Sequence, residues 1–273
     1  MKRNESIDSA AGIMIIYMVF THVCQHYHLD NSHFYMIMEH LLYFFMPWFF
    51  FKAGMFFKIG DNKEVVIKST ERLLKPFIIY SLLGHVCYCV VSFLKDGFHL
   101  STLIPYRSLL MTGSIPGNLP LWFLLSLFAC RVLLNMGRIL GFSLYLIATI
   151  GLLVPLSLHV VGYVYPYYLA NMMSGLFFMS MGAIIRDRKF TPPQYVLCVI
   201  IYLVSLLYPS FVGMRSNHLY YGFYLCWFVY SLCGILIVNE MGSWAIFKAS
   251  PLKYIGRHSM EIYCWHWIVL IFI

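Results

Sequence analysis

The chain has 273 residues, of which 61% are hydrophobic and only 11% are charged. A soluble domain carries about a quarter charged residues, so this composition excludes an ordinary water-soluble protein. Apolar runs of about 20 residues recur along the whole chain and leave no room for a soluble domain between them. The net charge of +8 therefore bears first on membrane orientation, and nucleic acid is not expected as a partner.

The pattern predicts an all-α, polytopic transmembrane helical bundle that forms a single membrane domain over residues 1–273. Nine spans are predicted, over residues 9–28, 36–57, 76–94, 120–137, 141–160, 166–185, 194–212, 219–239 and 259–273. A short interfacial helix is expected at residues 104–111, in the longest outer loop. The last span gives about 22 Å of helix against a hydrocarbon core of about 30 Å, which indicates a C-terminal truncation.

The basic residues are distributed unequally between the two sides of these spans. With the N-terminus inside, only Lys95, Arg107 and Arg215 fall in outer segments, while Lys52 and Arg131 fall within spans. The other Lys and Arg residues fall in inner segments, as the positive-inside rule requires. We therefore predict a multi-pass protein of the plasma (inner) membrane with a cytoplasmic N-terminus.

His22, in the outer half of the first span, is the strongest catalytic candidate. Ionisable residues inside a membrane are costly and therefore raise a functional question. A neutral imidazole tolerates a low-dielectric site and can take a proton from a hydroxyl group. The alternative is a packing histidine bonded to a neighbouring carbonyl. His26 and His28 follow near the outer interface, but no metal site is predicted, because carboxylate or Cys partners at metal-ligand spacing are lacking.

Three cations are candidates for binding an anionic ligand. Lys52 interrupts the apolar run of the second span, where it either snorkels to the inner interface or faces inward to meet an anionic ligand. Arg72 and Lys75 precede the third span. They either set the topology or bind phosphate groups, which the fork of an arginine matches bidentately.

Three further residues are candidates for binding a second ligand or for a relay, and the resemblance described below makes that ligand the acyl acceptor. Glu39 lies near the outer end of the second span, and His266 lies in the last span at a depth comparable to that of His22. Trp122 begins an aromatic run whose flat rings suit the C–H surfaces of a sugar.

Four segments, taken in order, resemble the integral-membrane acyltransferase 3 family, which includes sugar and polysaccharide O-acetyltransferases and fucose 4-O-acetylase-like proteins. They are RNESIDSAAGIMIIYMVFTH, MPWFFFKAGMFFK, RLLKPF followed by LWFLLSLF, and IGRHSMEIYCWHW. Together they extend over nearly the whole chain, although the family usually has about ten spans.

By this resemblance, His22 matches the essential first-span histidine of the family, and Arg72 matches its basic residue near the third span. The family usually carries Arg or Lys eleven residues before the histidine, where this chain has Ala11. That cation is associated with the acyl donor. We hypothesise that Lys52, in the inner half of the neighbouring span, takes over its role.

The resemblance implies an O-acetyltransferase that moves an acyl group, taken to be acetyl, from a cytoplasmic donor to a hydroxyl of a cell-surface glycan or lipid-linked sugar. No resident cofactor is implied, and acetyl-CoA or another acyl-CoA serves as co-substrate. The expected partners are membrane lipid, the acyl donor and the glycan acceptor, with the oligomeric state left open. The alternatives are a transporter of small molecules or lipid-linked sugars, and an inactive membrane scaffold or sensor.

Overall fold

The computed structural model describes residues 5–97, 105–188, 190–244 and 250–273. About three-quarters of these residues are helical, as the sequence predicts. The helices are α1 (Glu5–His26), α2 (His33–Leu42), α3 (Phe45–Met55), α4 (Asn62–Ser69), α5 (Lys75–Asp96), α6 (Tyr106–Thr112), α7 (Trp122–Ile139), α8 (Leu144–Val160), α9 (Tyr167–Ile185), α10 (Pro192–Leu207), α11 (Tyr224–Met241), α12 (Ser250–Arg257) and α13 (Ser259–Ile271). A π-helical turn (Thr70–Leu74) precedes α5, and a 3-10 turn (Leu119–Leu121) precedes α7. The expected interfacial helix corresponds to α6, while Ile104 lies outside the described residues.

Six helical segments of the described chain are long and apolar enough to cross a bilayer. They are Glu5–His26, His33–Met55, Asn62–Lys95, Leu119–Ile139, Tyr167–Ile185 and Tyr224–Met241. The shorter apolar helices α8 and α10, together with α13, fall on the three remaining predicted spans. A multi-pass membrane bundle is therefore confirmed, whereas the count of nine spans stays a prediction.

The second predicted span is not one continuous helix. It is interrupted between α2 and α3, at Tyr43 and Phe44. Pro47 lies in the first turn of α3, where a residue without an N–H group is tolerated because the first amides of a helix have no partner within it. The proline therefore favours a new helix start rather than continuation of α2.

Residues 211–221 correct two predicted span boundaries. The seventh and eighth spans were expected at 194–212 and 219–239, but strands β1 (Phe211–Gly213) and β2 (His218–Tyr221) form a hairpin between α10 and α11. Helix α10 ends just before Pro209, which disfavours a helical conformation in the residue that precedes it. Asn217 then turns the chain with a φ of 59°, a conformation that Asn tolerates better than most residues.

By its contacts the chain divides into two compact units. Unit 1 comprises Met1–Lys52, Asp187–Val212 and Leu219–Tyr263, and unit 2 comprises Ala53–Arg186, Gly213–His218 and Cys264–Ile273. The single membrane domain expected for the whole chain stays a prediction.

Within unit 1, α1 packs directly on α12 through glycines. A Cβ atom at Gly12 would overlap the carbonyl oxygen of Leu252, and one at Gly256 would overlap that of Asp8. The two backbones can approach this closely only because neither position carries a side chain, which is how small residues pack membrane helices. The buried Asp8 carboxylate also accepts a hydrogen bond from the Arg257 side chain at 3.3 Å.

Within unit 2, α9 packs against α7 and α8. A Cβ at Gly151 would lie only 2.6 Å from the backbone nitrogen of Phe177, so α8 and α9 also meet through a glycine. Asn135, completely buried on α7, fixes the loop before α4, because its side-chain oxygen accepts from Gly60 N and its nitrogen donates to Gly60 O, both at 3.0 Å.

Helix α5 is poorly covered by the rest of the described chain. Within the segment Asn62–Lys95, only 17% of the most apolar 18-residue stretch is buried. Apolar side chains of α5 such as Leu82, Val86 and Leu94 are exposed. Lys75 and Lys95 mark its two ends. This helix therefore forms a lipid-facing edge of unit 2.

The glycine contact between α1 and α12 yields a stability prediction. Gly256→Ala forces the two backbones apart and should lower the free energy of unfolding by about 1–3 kcal/mol. The measurement is the melting temperature of the purified protein in detergent. Gly60→Ala is the matched control, because its new Cβ meets only the flexible Val65 side chain at 3.3 Å. Equal melting temperatures for the two variants would contradict this account of the packing.

Candidate functional site

His22 is half-buried on α1, on the same face as Ala11. Eleven residues advance an α-helix by about three turns, so the two side chains lie within about 20° of each other around its axis. Ala11 is completely buried, with 0% exposure, so this face of α1 points into unit 1. The glycine contact with α12 fixes the rotation of α1 and therefore the direction in which His22 points.

A polar cluster lies one helical turn beyond His22. The carboxylate of Glu39, on α2, lies near the hydroxyls of Tyr35 and Tyr221, which favour its charged form. The side chain of Gln25, on α1, donates to the Tyr35 hydroxyl at 3.3 Å. Residues three apart on a helix are neighbours, so Gln25 brings this "Glu39 cluster" (Gln25, Tyr35, Glu39 and Tyr221) beside His22.

Tyr221, the last residue of the hairpin's second strand, belongs to the Glu39 cluster. Burial raises the pKa of its hydroxyl well above the usual value, and the negative charge of Glu39 raises it further. The hydroxyl therefore remains protonated at physiological pH and can donate to the carboxylate. The ring of His40 stacks on the Tyr221 ring, with centroids 5.5 Å apart, and limits its movement.

Lys52 lies half-buried on α3, above the ring of Trp48. Its ammonium nitrogen is 5.3 Å from the ring centroid, within the range of a cation–π interaction. Trp48 is completely buried, and its indole N–H donates to the side-chain oxygen of Asn239 at 2.8 Å. The ammonium therefore rests on a fixed aromatic surface inside unit 1.

In unit 2, Arg72 lies close enough to Arg131 for their charges to repel each other. Arg72 is exposed on the π-helical turn, whereas Arg131 is half-buried on α7. Among the described residues, neither guanidinium has a carboxylate partner. A bound anion would offset this repulsion. Lys75 is exposed at the start of α5.

Trp122 and His266 are both buried in unit 2, with 6% and 8% exposure. Trp122 begins α7, and His266 lies in the second half of α13. Their assignment to acceptor binding or a relay stays a prediction, since neither presents an open surface.

Two parts of the site were not predicted from the sequence as site residues. Arg131 could have been selected from the sequence, because a cation inside an apolar span is costly unless it has a partner or a ligand. Tyr221 could not have been selected, because its role depends on a hairpin, and the hydropathy of residues 219–239 predicts a helix there.

A family model described as an acyltransferase domain matches residues 4–273 of this chain. No curated protein and no solved structure matches it significantly. The match extends over both units, so it includes His22, the Glu39 cluster, Lys52 and the Arg72–Arg131 pair.

Proposed function

The chain belongs to the acyltransferase 3 family, and from this premise we propose that it transfers an acetyl group from a cytoplasmic donor, acetyl-CoA, to a hydroxyl of a cell-surface glycan or lipid-linked sugar. Membership of the family establishes a membrane acyltransferase. The donor, the acetyl group and the acceptor belong to the proposal. The observation that carries it is the position of His22 one helical turn from the Glu39 cluster.

The Glu39 cluster suits a polyhydroxylated acceptor. A carboxylate, two phenolic hydroxyls and an amide offer both hydrogen-bond donors and acceptors, which is what the hydroxyls of a sugar require. Gln25 is exposed and Glu39 half-buried, so the cluster can be reached from outside unit 1. A sugar bound there would bring one of its hydroxyls near the imidazole of His22.

In the reaction we propose, the neutral imidazole of His22 takes the proton of the acceptor hydroxyl as the oxygen attacks the carbonyl carbon of the thioester. A new C–O bond forms and the C–S bond breaks. The thiolate leaves and takes the proton from the imidazolium, which restores the neutral histidine. The alternative is a relay in which the imidazole first accepts the acyl group and then passes it to the acceptor.

The cations are proposed to bind the anionic part of the donor. Arg72 and Arg131 are close together without a carboxylate partner in the described chain, and guanidinium groups match phosphate oxygens bidentately. Lys75 adds a nearby exposed charge. Lys52, resting on Trp48, supplies the cation of unit 1 in place of the basic residue that the family usually has at position 11.

Removal of the proposed base tests the central assignment. We expect His22→Ala to lower kcat for acetyl transfer by about 10²–10⁴-fold, since this is the usual contribution of a general base. The assay follows acetylation of glycan from the host by mass spectrometry, with acetyl-CoA as donor. His26→Ala, an exposed change at the end of the same helix, is the control. A correctly folded His22→Ala protein with unchanged acetylation would refute the role of His22.

Lys52→Met tests whether this cation serves the donor. Loss of one charge-assisted contact should raise KM for acetyl-CoA about tenfold, while Trp48 and Asn239 keep their hydrogen bond. Lys95→Met, at the opposite end of α5 from Lys75, is the matched control and should have the kinetics of the unmodified protein. If Lys52→Met folds and retains full activity at low acetyl-CoA, Lys52 has no part in binding the donor.

Arg131→Gln tests the paired guanidiniums. We expect a higher KM for acetyl-CoA with little change in kcat, and a partial return of affinity in Arg131→Lys, which keeps the charge but loses the fork. Arg107→Gln, an exposed change on α6, controls for a general effect of lost charge. A lower melting temperature without any change in KM would identify Arg131 as a structural residue only.

A further inference from the structure

A pocket of about 260 Å³ in unit 2 collects three basic side chains that the proposed reaction does not use. Lys58, Arg138 and Arg186 line this "basic pocket" together with apolar residues, among them Phe57, Leu144 and Ala183. No carboxylate is found among its described lining residues, and Asp187 follows Arg186 in the chain without lining the pocket. Its chemistry is therefore cationic and apolar at once.

The positions of the two arginines are fixed by the backbone. Arg138 donates to the carbonyl oxygen of Phe142 at 2.6 Å, and Arg186 donates to that of Phe57 at 2.5 Å. A guanidinium has five N–H groups, so Arg138 keeps donors for a ligand. The loop that carries Phe57 and Lys58 is itself held to α7 by Asn135, as described above. The pocket is therefore formed before any ligand binds.

The basic pocket lies where three helices of unit 2 begin or end. Arg138 is in the last turn of α7, Leu144 is the first residue of α8, and Arg186 directly follows α9. Because membrane-spanning helices end near a boundary of the bilayer, three helix ends at one pocket indicate such a boundary. The unequal distribution of Lys and Arg predicts that this boundary is the cytoplasmic one, where anionic lipids attract basic groups.

The surroundings of the basic pocket suit hydrocarbon chains rather than water. Leu140, Phe142 and Tyr145, in and beside the connection between α7 and α8, expose 68%, 44% and 59% of their surfaces. In a chain that spans a membrane, exposed apolar residues of this size favour contact with lipid. A ligand with a phosphate headgroup and acyl chains matches both the charges inside the pocket and the surface outside it.

We propose that the basic pocket binds the phosphate headgroup of an anionic phospholipid of the inner leaflet, whose acyl chains run along α8. The proposal goes beyond acyl transfer and does not depend on it, because it concerns binding alone. This lipid occupies a defined position on the protein, unlike the lipids that surround the bundle non-specifically. A soluble phosphate compound, such as the acyl donor, is the competing occupant.

The test measures lipid retention directly. The purified full-length protein is incubated in mild detergent with equal amounts of phosphatidylglycerol and phosphatidylcholine, and the retained lipid is counted by native mass spectrometry. We expect preferential retention of phosphatidylglycerol. Lys58→Gln, an exposed change, should weaken that retention about tenfold, while Lys63→Gln, an exposed lysine on α4 outside the pocket, should leave it unchanged.

Two results would overturn the proposal. If both lipids are retained equally, or Lys58→Gln behaves like Lys63→Gln, the pocket does not select an anionic headgroup. If coenzyme A displaces phosphatidylglycerol from the unmodified protein, the pocket belongs to the acyl donor. Arg138→Gln is a second variant of the pocket and should also weaken retention of phosphatidylglycerol. The melting temperature of each variant shows whether it has folded. Acetyl transfer is not measured, so failure here is separate from failure of the proposed enzyme activity.

Discussion

Close contact between the backbones of α1 and α12 is the constraint on which the candidate site of unit 1 depends. Because Gly12 and Gly256 lack side chains, each lies directly against a carbonyl oxygen of the other helix. The Asp8–Arg257 hydrogen bond opposes rotation of α1 against α12. A rotation of α1 by one residue, about 100°, would turn His22 away from the buried face. The same contact joins the first and last of the segments that resemble the family, so their distance in sequence conceals direct packing in space.

The parts of the structure that followed from the sequence are those set by local hydropathy. The helical class and the approximate position of each span depend on the apolar content of about 20 consecutive residues, which a single sequence contains. The hairpin at 211–221 was missed because aromatic and apolar residues favour a short strand and a helix end equally well. The break between α2 and α3 was missed for a related reason, since hydropathy continues across it.

The candidate site divides in the same way. His22 and Lys52 could be selected because an ionisable group in an apolar run is visible in the sequence. The residues that surround them could not be predicted. Tyr221 approaches Glu39 from a hairpin almost two hundred residues away in the sequence, and Asn239, on another helix, binds the indole of Trp48. Which charges share a site depends on tertiary contacts. For the same reason, the sequence does not show that Arg72 and Arg131 are neighbours, since this depends on the packing of α7 against the π-helical turn.

The two lipid-facing helices of unit 2 differ in length, and this difference acts on the membrane itself. From Lys75 to Lys95, α5 rises about 30 Å, equal to the thickness of a typical hydrocarbon core, whereas the 17 residues of α8 rise only about 26 Å. A bilayer that matches α5 is therefore too thick at α8, and lipid must thin or tilt there to cover its apolar surface. The protein consequently imposes an uneven hydrophobic thickness on its surroundings, and membranes of different composition will stabilise it to different degrees.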